Sequence, residues 1–303
     1  MIAVPYGGKE IFMKIADELV ISGNRAIARS YAKINLTLDI LGKREDGYHE
    51  IETVMQTVGL FDLVITDIVG KGIFVTTNIK YLPTNEKNIA YQAAQRFFEK
   101  TGIQKGVKIF IHKNIPISAG LAGGSGNAAA VLTCLNALFS NPLTDEELLS
   151  LAAELGADVP YCMMGGTVLC SGIGEKLTPT ASFPKRHVLL VKPPFGISTA
   201  AIYEKIDSEE KTEHPKSSDF INSLSADSYA PETMFNVMED VSAADYPVIK
   251  GIGKKMRLNG AEAAMMSGSG STVFGIFNDF KTAKKSADSF SYFYKEVFLT
   301  ETV

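Results

Sequence analysis

The chain has 303 residues, 46% of them hydrophobic and 21% charged, which is an ordinary balance for a soluble globular protein and long enough for two domains rather than one. A net charge of −4 argues against a broad nucleic-acid surface, although it leaves room for a local basic pocket that takes phosphates. No apolar run reaches membrane-spanning length, and the first residues lack the basic-then-apolar pattern of a secretory signal, so the expected location is cytoplasmic, with no membrane partner.

Residues 1–26 read as an extension whose structure stays open: 11–21 suits a short helix or a strand, and Met13 is an alternative start. From residue 27 the pattern sharpens. Ile34, Leu36, Leu38 and Ile40 alternate with Lys33, Asn35, Thr37 and Asp39, which predicts a strand with one apolar face. Lys33 and Asn35 share the polar face; by itself, a lysine there reads as a solvated edge charge. A charged turn bracketed by Gly42 and Gly47 leads to Tyr48 and His49. Strands are expected over 51–60, 62–68 and 73–77. Residues 88–100 carry Ile89, Ala93 and Phe97 at helical spacing, and Gly102 closes that helix.

Residues 107–112 alternate as a strand and enter a glycine-rich stretch: Pro116, Ile117, Ser118, Ala119, Gly120, Leu121, Ala122, Gly123, Gly124, Ser125, Gly126, then Asn127. An apolar helix to about residue 139 follows. Strand, glycine loop and helix start together make an anion site, because glycine lets backbone N–H groups approach closely and the helix end adds free donors and a positive dipole end. Phosphate is the natural anion. The chain contains no Gly-Lys-Ser/Thr, which excludes the P-loop NTPase motif, and the loop lacks the G-x-G-x-x-G spacing. Taken alone, the stretch serves equally well as a tight turn before a helix.

Thr144 and Glu147 form a capping box for a helix over 148–155, which Gly156, Ala157, Asp158, Val159 and Pro160 end. Asp158 is thereby expected in a short rigid turn beside a helix C-terminus, where it serves either the turn itself or a site. A strand is expected over 165–170. Pro179 and Pro184 break the pattern and mark a domain boundary, giving 1–26 as extension, 27–182 as first domain and 183–303 as second. Beyond it the pattern predicts a strand over 188–191, a helix over 199–206, an exposed loop over 208–218, helices over 235–241 and 247–258, strands over 263–266 and 272–277, a helix over 281–289 and a last strand over 293–299. Ser267, Gly268, Ser269, Gly270 and Ser271 join two of these strands, either as N–H donors to a second anion or as a flexible hairpin turn. Cys134, Cys162 and Cys170 show no C-x-x-C pairing and have apolar neighbours, so they read as buried free thiols in a reducing compartment.

Three separated stretches resemble the small-molecule kinase family that includes galactokinase, homoserine kinase and mevalonate kinase, the GHMP kinases. Ala32 to Leu36 is similar to the family's first motif, Pro116 to Ala128 to its phosphate loop, and Met266 to Ser271 to its third, glycine-rich motif. The turn from Gly42 to His49, with Asp46-Gly47-Tyr48-His49 its most specific part, and Gly156 to Pro160 narrow the resemblance to the branch acting on 4-diphosphocytidyl-2-C-methyl-D-erythritol. Two departures stand out: Ser30 and Tyr31 occupy positions where the wider family often has Ala-Pro, and Ala122 and Gly126 occupy positions where many members have glycine and serine.

The resemblance implies an α+β, two-domain GHMP kinase fold. Residues 27–182 would be an ATP-binding, ribosomal-protein-S5-like domain and 183–303 a ferredoxin-like one, with the active site in the cleft between them. It implies ATP-dependent phosphorylation of the acceptor's 2-hydroxyl in non-mevalonate isoprenoid precursor synthesis. Asp158 would be the general base, and Lys33 would pair with it and stabilise charge on the transferred phosphate. Residues 116–126 would hold the ATP phosphates, with Asn88 and Lys113 near the adenine or its ribose. Asn35, Tyr48, His49, Gly268, Ser269 and Gly270 would bind the acceptor, Tyr48 and His49 offering rings to its cytosine. Mg²⁺ is expected with ATP, held mostly by phosphates and water with Ser125 as a protein contact, since no carboxylate cage is evident. The alternatives are a kinase of another small alcohol (mevalonate, homoserine or a sugar), for which a nucleobase-binding turn has no use, and a catalytically silent binding or regulatory protein on the same fold. Monomer and homodimer both remain open.

Overall fold

The computed structural model describes residues 3–6, 9–12, 15, 18–208, 214–225 and 228–303. Met13, and residues 209–213 of the loop expected over 208–218, lie outside the described residues. In chain order the strands are β1 (Ala3–Tyr6), β2 (Lys9–Phe12), β3 (Val20–Ser22), β4 (Arg25–Lys43), β5 (His49–Val69), β6 (Ile73–Thr77), β7 (Gly106–His112), β8 (Thr167–Ser171), β9 (Lys176–Pro179), β10 (His187–Lys192), β11 (Phe235–Asn236), β12 (Ala263–Met266), β13 (Val273–Phe277) and β14 (Glu296–Glu301). The helices are α1 (Ile89–Thr101), α2 (Gly123–Leu138), α3 (Asp145–Leu155), α4 (Asp158–Met164), α5 (Thr199–Asp207), α6 (Ser217–Ser223), α7 (Val237–Asp245), α8 (Val248–Leu258) and α9 (Phe280–Ser291).

Two compact units emerge, and neither is continuous in sequence. The first comprises the described residues up to Ala32 with 61–115 and 122–165. In it, β7 runs antiparallel to the second half of β5 and parallel to β6. Helices α1, α2, α3 and α4 pack together. Residues Ala128, Ala129, Ala130, Val131 and Leu132 of α2 are all fully buried, so this stretch of the helix is enclosed on every side, and its alanines allow close approach to α1. Phe97, Val64, Ile109, Ile111 and Val159 complete this core.

The second unit comprises 33–60, 116–121 and the described residues from Gly166 onward. Its four-stranded antiparallel sheet has the order β14-β10-β13-β12. Helices intervene between β10 and β12, and α9 intervenes between β13 and β14. That is the βαββαβ ferredoxin-like arrangement expected of this half. The core is built from Leu189, Val191, Ile249, Phe277 and Phe290, and it also takes in Leu38 and Ile40 of β4 and Ile51 of β5. In this unit the second half of β4 pairs in parallel with β11, the first half of β5 pairs antiparallel with β8, and β8 continues to β9.

Several elements differ from the sequence pattern, each for a visible reason. One strand, β5, replaces the two expected over 51–60 and 62–68; Asp62 does not break it, because its buried carboxylate is fully met by neighbours. Residues Phe235–Asn236 pair with β4 as a short strand, and the helix begins only at Val237, where the Asn236 side chain accepts the Met238 N–H. Part of the loop expected over 208–218 is the start of α6, and β9 occupies the stretch that Pro179 was expected to break. The last strand starts at Glu296, since the N–H groups of Phe293 and Tyr294 both turn back to the Phe290 carbonyl. None of the three cysteines is in a disulfide; Cys134 and Cys170 are buried and Cys162 is half-buried.

Candidate active site

Within the second unit, three separated stretches of sequence converge. Lys33 and Asn35, on one face of β4, are 4% and 2% exposed. The Lys33 Nζ donates to Asn35 Oδ1 (2.7 Å), Asn35 Nδ2 donates to Thr53 Oγ1 (2.8 Å), and Thr53 donates to the Thr37 carbonyl (2.5 Å). Lys33 is therefore a buried, oriented cation, not the solvated edge charge of the plainer reading. Its backbone N–H donates to the Leu121 carbonyl (3.2 Å), which ties the strand to the glycine-rich stretch.

The glycine motif between β12 and β13 lies against the same residues. A Cβ on Gly268 would stand 3.3 Å from both Lys33 Nζ and Asn35 Oδ1. Gly120 is closer still to that motif: a Cβ there would fall 2.1 Å from the Ser267 carbonyl oxygen, and its φ of +74° is left-handed, so both space and backbone demand glycine. The Ser267 hydroxyl donates to the Gly120 carbonyl (2.9 Å), and the Thr272 N–H to that of Ala119 (3.3 Å). Asn236 Nδ2 donates to the Met266 and Gly268 carbonyls (both 2.8 Å), and Glu239 accepts the Met266 N–H (2.7 Å). Ser269 shares a hydrogen bond with Thr199 (2.7 Å). The motif is thus pinned, and the flexible-hairpin reading does not hold. Buried Pro116 and Ala119, half-buried Ile117 and exposed Ser118, with φ +52°, complete this part of the loop.

Tyr48 and His49 diverge in environment. Tyr48 is 60% exposed. The His49 ring is mostly buried, stacks on Tyr203 at 4.3 Å and 12°, and makes a 2.6 Å hydrogen bond through Nε2 to Asp207. Lys43 donates to the other Asp207 oxygen (2.6 Å). His49 first, then Lys43, hold the Asp207 carboxyl below the usual carboxylate range.

In the first unit, α2 starts at Gly123 behind Ala122, whose φ is +55° and whose side chain cannot cap. The first-turn N–H groups of Gly123, Gly124 and Ser125 consequently meet no capping side chain, and they lie at the positive end of a sixteen-residue helix. Gly126 is tightly enclosed: a Cβ there would stand 2.5 Å from the Ser30 hydroxyl. Asp158 is the first residue of α4 and not part of a bare turn. Pro160 falls in that helix's first turn, where no N–H donor is required, so the residue expected to block a helix helps start one. Asn88 caps α1, accepting the Ala90 N–H (2.9 Å) and donating to the Pro83 carbonyl (2.6 Å). Lys113 is 8% exposed, with its Nζ on Asp62 and on Asn127 Oδ1 (3.0 Å).

Tyr203, Asp207, Asn236 and Glu239 had no assigned part in the sequence reading. Asn236 and Glu239 stand three apart, a helix-start pattern that could have flagged them. Tyr203 and Asp207 stand one helical turn apart on α5 and left no such signal. Among the described residues no group of three or more His, Cys, Asp or Glu side chains could hold a metal ion, and no helix is long and apolar enough to cross a membrane.

Comparison with known proteins shows the family of this chain. Residues 88–166 match the GHMP kinases N terminal domain, and residues 222–296 match the GHMP kinases C terminal domain. A 4-diphosphocytidyl-2-C-methyl-D-erythritol kinase of Caldicellulosiruptor saccharolyticus is 48% identical over 91% of this chain and 96% of its own. One from Clostridium botulinum is 44% identical over 91% of this chain and 99% of its own. A crystal structure of a 4-(cytidine 5'-diphospho)-2C-methyl-D-erythritol kinase superposes with a TM-score of 0.79 at 30% identity, covering 91% of this chain and 98% of that one. A homoserine kinase from Cytophaga hutchinsonii shares the fold, with a TM-score of 0.68 at 17% identity over 94% and 96% of the two chains. The two family matches and these identities over nine-tenths of the chain place it in the GHMP kinase family, among the 4-diphosphocytidyl-2-C-methyl-D-erythritol kinases.

Proposed function

We propose that this ATP-dependent kinase transfers the γ-phosphoryl group of ATP to the 2-hydroxyl of 4-diphosphocytidyl-2-C-methyl-D-erythritol, a step of non-mevalonate isoprenoid precursor synthesis. The observation that carries the acceptor is the identity of 44% and 48%, over nine-tenths of the chain, to relatives named for it. Phosphoryl transfer asks the protein chiefly for positioning and charge stabilisation. Residues 116–126 take the ATP phosphates through backbone N–H groups and the start of α2; their support is the left-handed Ser118, Gly120 and Ala122 and the uncapped helix end. Lys33 stabilises charge on the transferred group, supported by its burial and its fixed Nζ. Asp158 accepts the proton of the attacking hydroxyl. Asn35, His49 and Tyr48, with Gly268, Ser269 and Gly270, hold the acceptor, and Asn88 and Lys113 lie toward the nucleoside of ATP. Mg²⁺ would be held chiefly by phosphate and water, with Ser125 as its protein contact, and would neutralise phosphate charge.

The proposed division is 1–26, 27–182 and 183–303, and the two family matches fall on either side of residue 183. The cytoplasm is the proposed compartment, which three cysteines outside any disulfide suit, and a monomer or homodimer is the proposed assembly.

The test is ADP release with purified protein, offering this acceptor against mevalonate, homoserine and galactose. Turnover with the cytidylyl acceptor alone is expected. Asp158→Asn should lower kcat by roughly 10²- to 10⁴-fold while ATP binding persists. Near-normal kcat in that variant would remove Asp158 from the base role, and turnover with another acceptor would overturn the substrate.

A further inference from the structure

Asp62 on β5 has no assigned part in the reaction, yet it is fully buried and its carboxylate collects four donors. Oδ1 accepts the backbone N–H groups of Asn114 (2.7 Å) and Ile115 (2.8 Å). Oδ2 accepts Lys113 Nζ and Asn127 Nδ2 (2.8 Å). Asn114 and Ile115 immediately precede Pro116, and Asn127 immediately follows Gly126. Both stems of the glycine-rich loop therefore hang from one carboxylate.

We infer that Asp62 is a positioning residue for ATP: acting through the Asn114–Ile115 backbone and through Asn127, it fixes the two stems and so aims the loop's N–H groups at the phosphates. The inference rests on the reading of residues 116–126 as the phosphate site. Without the tie the loop would have to be ordered by the nucleotide itself, and binding would weaken by that ordering cost. Lys113 balances the buried charge and braces Asn127 through its Oδ1 (3.0 Å). Ser30 adds a third support, its hydroxyl accepting from Asn127 Nδ2 (3.2 Å). That hydroxyl lies where a side chain on residue 126 would go, 2.5 Å from the Cβ position of Gly126. Ser30 and Gly126, two separate departures from the family pattern, are thus one compensating pair: the serine fits because residue 126 is glycine, and it lends the loop's exit stem a hydrogen bond.

Asp62 itself is the wrong place to cut, because its loss would strand the buried Lys113 ammonium. Asn127→Ala releases the exit stem and keeps the ion pair. It should raise KM for ATP about tenfold or more and leave KM for the acceptor within about twofold, a split that a loss of global stability would not produce. An unchanged KM for ATP in the folded variant would overturn the inference. Should Asn127→Ala fail to fold, Gly126→Ala should raise KM for ATP, and Ser30→Ala added to it should restore much of the loss by clearing the space. Gly126→Ala without effect, or no restoration in the double variant, would equally overturn it. Ser125→Glu separates the two readings. If that negative charge at the helix start leaves KM for ATP unchanged, the loop does not hold phosphates and this inference falls with that reading. If it raises KM while Asn127→Ala and Gly126→Ala do not, the phosphate site stands and only the positioning role of Asp62 is lost.

Discussion

At the scale of single residues, the His49 ring is held by its neighbours. Tyr203 covers one face of its ring, and Asp207 fixes one edge through Nε2, so the imidazole is oriented by the protein itself. Removing it as His49→Ala should raise KM for the cytidylyl acceptor roughly tenfold, about 1.4 kcal/mol, and change KM for ATP little. Equal rises for both substrates would take His49 out of the acceptor site. Asp207 adds a pH signature. Its folded pKa lies below the unfolded value of about 3.8, so the stability it contributes is present above that value and is lost as pH falls through the depressed folded one. Thermal unfolding of Asp207→Asn against the unsubstituted protein should therefore show a Tm gap at neutral pH that closes only below about pH 3.8. No gap at neutral pH would mean the Asp207 contacts do not form in solution, and a gap that persists undiminished in stronger acid would mean it does not come from the ionised carboxylate.

At the scale of elements, the start of α7 clamps the C-terminal glycine motif. Asn236 holds the Met266 and Gly268 carbonyls, and Glu239 holds the Met266 N–H. Burial raises the Glu239 pKa, and the Met266 hydrogen bond and Arg257 offset only part of that. A raised folded pKa means the stability linked to this group is greatest below the unfolded carboxylate pKa and declines as pH rises through the folded value. Glu239→Gln keeps an acceptor for the Met266 N–H and removes the buried charge. Its Tm relative to the unsubstituted protein should thus climb between about pH 4.5 and neutrality, measured by calorimetry. A flat difference would show that Glu239 is solvated enough to ionise freely. The same elements show what a sequence reveals and what it hides. The strand carrying Lys33 and Asn35, both glycine motifs and the capping box at Thr144 were legible, because alternation, glycine density and cap spacing are short-range patterns. Asp62 with Asn127 and His49 with Asp207 were not, since those partners stand 65 and 158 residues apart and only the fold brings them together. Asp158 was legible as a residue and misread as an element, because proline is tolerated in a helix's first turn and is a poor guide to where helices stop there.

At the scale of the whole chain, the compact units and the sequence domains divide the protein differently, and that difference can be measured. The core of the second unit takes Leu38 and Ile40 from β4 and Ile51 from β5, packed with Leu189, Val191, Ile249, Phe277 and Phe290. Among the described residues the two-residue strand β11 pairs only with β4, and the chain's end is tied to β5, where Val303 N–H donates to the Thr57 carbonyl (3.1 Å) and Gln56 Nε2 to the Val303 carbonyl (3.1 Å). A fragment of residues 183–303 keeps all four strands of the ferredoxin-like sheet and loses these partners. Each buried aliphatic side chain contributes on the order of 1.5–3 kcal/mol. Losing three of them removes about 5–9 kcal/mol, comparable to the whole stability of an ordinary domain at about 5–15 kcal/mol. The fragment is expected to show no cooperative thermal transition by circular dichroism when alone, and to gain one on mixing with residues 1–182, which carry the missing strand segments. A cooperative transition in the isolated fragment, with slow amide exchange in β10 and β13, would mean that the four-stranded sheet and its own helices suffice, and that the sequence boundary at 183 is also a folding boundary.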